Sequence, residues 1–90
     1  MEEIIVKIEK IQNKHKSLQW GHYTMSEDET MFAVGNKAYP KEPHFFVVTS
    51  DLIIYLLDPN HKKNFYKRCA GVNDIIDAVI SLLKEWFPAK

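Results

Sequence analysis

Cysteine occurs once, at Cys69, so no disulfide can close within the chain. No Asn-x-Ser/Thr acceptor occurs either, and Glu2-Glu3 follow Met1 where a secretory signal needs positive charge. Together these predict a reducing, cytoplasmic setting. Glycine is confined to Gly21, Gly35 and Gly71, too far apart to write a phosphate-binding loop or a dinucleotide fingerprint. No apolar run approaches the roughly 18 residues that span a bilayer, so no membrane contact is expected. Arginine is limited to Arg68.

Charge of one sign is also missing. Twelve basic and twelve acidic side chains cancel, which argues against a surface built for a polyanion or an anionic membrane. The distribution is uneven: residues 21–60 carry more carboxylates than cations, and residues 61–90 the reverse. Apolar residues form 46% of the chain and charged residues 27%, the profile of a globular domain and not of a disordered one. Ninety residues predict a single domain over 1–90, with a radius of gyration of about 12 Å.

Metal chelation finds no pattern. His15, His22, His44 and His61 are scattered, without the i, i+4 helical or i, i+2 strand spacing that brings two imidazoles to one ion. No metal and no cofactor are expected. Asp51 and Asp58 bracket an apolar run, and turn chemistry accounts for both, because aspartate bonds readily to nearby backbone. Glu27-Asp28-Glu29 reads as a solvated turn.

What is present divides into short elements. Met1, Ile4, Ile5, Ile8 and Ile11 fall within about 120° of a helical wheel, which predicts a helix over 2–16. The β-branched Ile4-Ile5-Val6 run leaves a strand as the competing reading. Leu18, Trp20, His22 and Thr24 alternate with Gln19, Gly21, Tyr23 and Met25, as in a strand. A turn at 26–29 then leads into a returning strand over 30–34. Ser26 with Glu29 also fits a capping box, which would instead make 27–34 a short helix. Gly35-Asn36 and the prolines Pro40 and Pro43 predict a loop. Phe45–Val48 and Leu52–Leu57 lack polar alternation, as expected of strands covered on both faces. Asp58-Pro59-Asn60-His61 is a turn, and 64–69 a further strand near a sheet edge. Asn73 is expected to cap a final helix starting at Asp74. Its apolar positions from Ile75 to Phe87 span about 160° before Pro88 ends it.

The order is that of an α+β fold: an N-terminal helix, a mostly antiparallel sheet of four to five short strands, and a C-terminal helix, with both helices on one face of the sheet. Two helices leave the second face of 45–57 without a cover. Either the sheet curls on itself, or a second copy of the chain or a partner protein covers it.

Three functional readings follow. The first is a small non-enzymatic binding or regulatory module acting through protein–protein contact, with Phe46, Ile54, Tyr55 and Trp86 as candidate interface residues. The second is nucleic-acid binding by the basic–aromatic segment 61–68, through Lys62, Lys63, Phe65, Tyr66, Lys67 and Arg68. Cations there would meet phosphates and rings would stack on bases. The same segment also fits a lysine-protected edge strand. The third is a cysteine-dependent enzyme centred on Cys69, its thiol activated by Lys67-Arg68 and by a following helix, with His61 as base.

Overall fold

The computed structural model describes residues 2–88, and of residues 39–42 the backbone only. Two helices flank five strands: α1 (Glu2–Lys14), β1 (Leu18–Ser26), β2 (Glu29–Asn36), β3 (Tyr39–Thr49), β4 (Ile53–Leu57), β5 (Lys63–Arg68) and α2 (Val72–Trp86). Every strand pairs antiparallel with the next, so the sheet order is β1-β2-β3-β4-β5. The radius of gyration is 12.3 Å.

The N-terminal segment is a helix, because Ile4, Ile8 and Ile11 bury along one side of it. It stops two residues earlier than its pattern suggests. His15 N–H donates to the Gln12 carbonyl and Leu18 N–H to the His15 carbonyl, turning the chain sharply into β1. The 27–34 segment is a strand and not a helix. Ser26 Oγ does accept from a nearby backbone N–H, that of Asp28 at 3.2 Å, but within a hairpin turn.

The loop expected over 35–43 shrinks to a turn at Lys37-Ala38, where the Asn36 side chain accepts the Ala38 N–H. The prolines did not break the strand, because of where they lie. β3 and β4 pair only from Phe46–Leu56 onward, so the proline-bearing half of β3 has a neighbour on one side alone. Its pairing with β2 is also irregular there, between Val34 and Asn36. A residue without N–H is tolerated in such a position. At the next connection, Leu52 takes φ 66 and lies in the turn, not in β4.

The expected cap at Asn73 is displaced. α2 begins at Val72 behind Gly71, placing Asn73 and Asp74 inside the first turn. From there the Asp74 carboxylate reaches back to accept the N–H of Ala70, just ahead of the helix, at 3.0 Å, while no side chain caps the helix N–H groups themselves.

Both helices cover one face of the sheet. Side chains alternate along a strand, so Phe32, Val34, Phe46, Val48 and Ile54 point toward Ile8, Ile75, Val79 and Leu82, and all nine are fully buried. Phe32 and Phe46 stack with centroids 5.1 Å apart. His44 lies parallel to Trp86 at 4.5 Å, closing the core beside the end of α2. Among the described residues two buried side-chain polar atoms lack a hydrogen-bond partner, one of them Trp20 Nε1. Thr30 is fully buried, and its hydroxyl has no hydrogen-bond partner. Thr30→Val keeps the shape and removes the stranded hydroxyl, so it should raise stability by about 1–2 kcal/mol, read as a higher thermal midpoint.

Candidate interaction face

The opposite face of the sheet receives no helix. This is the face of residues 45–57 that two helices were expected to leave without a cover. Val47, Tyr55 and their neighbours are absent from the core that the helices build. What this face carries is set by register. Tyr23 pairs with Met31, Met31 with Val47, Val47 with Tyr55, and Tyr55 with Phe65. Paired residues share a face, so these five side chains form one apolar row crossing all five strands. Gly21, Ala33 and Phe45 form a second row beside it.

Exposure varies along the first row. Tyr23 and Phe65, at its two ends, are 64% and 65% exposed. Met31 and Tyr55 are half-buried, and Val47 is fully buried. Tyr55 and Phe65 meet edge to face at 6.4 Å. Lys63 reaches from β5 to Glu29 on β2, an ion pair that crosses the two strands between, and its ammonium lies 5.7 Å from the centre of the Tyr55 ring. The centre of the row is thus partly strapped over, while its ends are open.

The interface residues expected from sequence separate accordingly. Phe46 and Ile54 are fully buried under the helices and present no surface. Trp86, near the end of α2, is turned toward the sheet. It is half-buried against His44 and Phe46. Tyr55 alone of the four lies on the uncovered face. Tyr23, Met31 and Val47 were missed, although the alternation of Gly21, Tyr23 and Met25 against Trp20 and His22 carried the signal for Tyr23.

The basic–aromatic segment is split by its own backbone. Ile54 pairs with Lys67 and Tyr55 with Phe65, leaving Tyr66 as a bulge residue. The bulge shifts the alternation by one. Phe65 faces the open side, whereas Lys67 turns to the helix side and bonds Asp74 at 3.3 Å. Tyr66 packs against the core. Lys62 and Arg68 remain exposed. Four consecutive-looking cations therefore do not form one patch, and two of them already meet carboxylates. Another cation cluster was not anticipated: Lys7, Lys10 and Lys14 line a groove of about 260 Å³ between the helices, floored by Ile11, Ile76 and Ile80.

Cys69 is 6% exposed, and its N–H donates to the Leu52 carbonyl at 2.7 Å. Burial raises its thiol above the ordinary range, the Asp74 carboxylate adds to this, and Lys67 opposes both. His61 precedes β5 and Cys69 follows it, so the strand's length of about 20 Å separates the proposed base from the thiol. A native thiol reagent at pH 7 should label Cys69 slowly, and denaturant should accelerate labelling at least a hundredfold. The sign of the pH effect follows from the raised thiol: the stability it contributes is present below the ordinary thiol pKa and is lost as pH rises past it.

Among the described residues no group of three or more His, Cys, Asp or Glu side chains could hold a metal ion. No helix among them is long and apolar enough to cross a membrane. No protein-family model matches the chain, no curated protein matches its sequence, and no solved structure matches its fold.

Proposed function

We propose that this chain is a small protein-binding module of the cytoplasm whose contact surface is the uncovered face of its sheet. One observation carries the reading: an unbroken apolar row, Tyr23–Met31–Val47–Tyr55–Phe65, spans every strand of a face that no helix shields. Its two ends expose apolar rings, Tyr23 and Phe65, and exposed apolar surface beside polar groups marks interaction sites. The rings at its ends supply the anchors that dominate interface energy. The lone, buried thiol fits a reducing compartment. The contact is regulatory in the simplest sense: binding alters the partner, and no chemistry on this chain is required.

The test is affinity purification from the source cells with wild-type chain and with Phe65→Asp, followed by titration of the purified partner. Retention of a protein by wild type and its loss with Phe65→Asp is the expected result. Equal retention by both would remove the open face from the account.

Nucleic acid is the second reading, favoured by the rings of Tyr23, Tyr55 and Phe65 on an open sheet beside Arg68. The ion pairs of Lys63 and Lys67 and the zero net charge weigh against it. Under the favoured reading, a single-stranded oligonucleotide shifts no amide resonance of β4 or β5 even at low salt, where phosphate contacts are strongest.

A further inference from the structure

The two edges of the sheet are built differently. β5 is a six-residue edge carrying Lys63, Lys67 and Arg68 and interrupted by a bulge, the features that stop one sheet from pairing with another. β1 has none of these protections over most of its length. It runs for nine residues without a charged side chain or a proline, and pairs regularly with β2 from Leu18 to Thr24. Residues 21–26 are exposed throughout, beyond the shelter of the helix layer. No other strand among the described residues pairs with its outer row of backbone donors and acceptors.

We propose that β1 pairs antiparallel with β1 of a second copy, joining two five-stranded sheets edge to edge. This goes beyond the binding face and does not rest on it. The second copy is the fitting occupant for three reasons. An uncharged strand meets its own copy without repulsion. A two-fold axis normal to the sheet keeps both helix layers on the same side, which antiparallel pairing of identical strands requires. An axis through His22 then sets Gly21 opposite the second copy's Tyr23, and Trp20 opposite its Thr24. That register is self-complementary. Gly21 leaves open space where a side chain would stand, with nothing within 4 Å of its Cβ position, and Tyr23 is the 64%-exposed ring available to lie over it. An aromatic ring across from an edge glycine is a recognised way to secure such a pair.

His22 and Phe65 separate this proposal from the binding face, because His22 lies on the helix side of β1 and Phe65 at the far edge of the open face. Sedimentation equilibrium from about 10 µM to 1 mM should show mass rising from the 10.6 kDa of one chain toward twice that value. His22→Asp places two like charges at the axis and should weaken the dimer tenfold or more. Tyr23→Ala should weaken it severalfold, and Phe65→Asp should leave it intact. Circular dichroism checks that each variant is folded, which their exposure favours. In a mixed-isotope sample, the Tyr23 ring of one copy should show contacts to Gly21 of the other. A monomer at every concentration overturns the proposal. So does a dimer untouched by His22→Asp, and so does one broken by Phe65→Asp instead, which would mean face-to-face packing through the apolar row.

Discussion

Truncating Phe46 to alanine should cost the fold about 3–5 kcal/mol, a large share of the roughly 5–15 kcal/mol that a domain of this kind possesses. Phe46 is fully buried at the middle of the sheet. It stacks on Phe32 of β2 at 5.1 Å and meets Trp86 of α2 at 6.2 Å, so alanine leaves a cavity between sheet and helix. A chemical-denaturation midpoint measures the loss. A cost below about 1 kcal/mol would mean that Phe46 is not where the two faces of the sheet place it. The same residue, read from sequence, was a candidate contact for a partner. The structure puts it on the side where its loss harms stability first.

Phe65→Asp should do the reverse. The ring is 65% exposed at the edge of the open face, so stability should change by less than about 1 kcal/mol. Affinity for the partner should fall about thirtyfold or more, the effect of removing an aromatic anchor and burying a charge in its place. Phe46 and Phe65 thus form a crossed pair, one that fails in folding and one that fails in binding. If Phe65→Asp unfolded the chain, or if binding survived it, the open row would not be the contact surface.

Much of this arrangement was legible in the residues, and the missing parts have physical causes. The isoleucine stripe of α1 and the long apolar stripe of α2 announced two helices that bury one side each. Two helices and a sheet with too much apolar surface announced an uncovered face. The side on which each strand residue lies was harder to read. In β3 and β4 both faces are apolar, one because helices cover it and the other because it carries the centre of the apolar row, so composition could not separate Phe46 from Val47 or Ile54 from Tyr55. Register settles it: Phe46 pairs with Phe32, and Val47 with Met31 and Tyr55; in β5 the side of each residue also depends on the bulge at Tyr66, which no residue type there signals. That bulge also divided the basic–aromatic segment. Alternation alone would have put Phe65 and Lys67 on one face, where a groove for nucleic acid could have formed.

Local rules failed where a neighbour outweighed them. Asn73 has the right chemistry for a cap, but the helix starts ahead of it, behind Gly71, and Asp74 beside it bonds Ala70 and Lys67. These two bonds also hold the Asp74 carboxyl below its usual range, the backbone N–H of Ala70 contributing most. The associated stability is present above the ordinary aspartate pKa and is lost as pH falls through the lowered value. The prolines of β3 read as loop because sequence does not reveal which half of a central strand lacks a second partner.

The central claim is that the uncovered sheet face contacts another protein, and site-specific photocrosslinking tests it most directly. A benzophenone amino acid would replace Phe65 or Tyr23 on the open face, or Lys7 or Asp77 on the helices. In the source cells, adducts to a protein other than a second copy of this chain should form from positions 65 and 23 and not from 7 or 77. Adducts arising only from the helix positions, or adducts from the sheet face to nucleic acid alone, would contradict it.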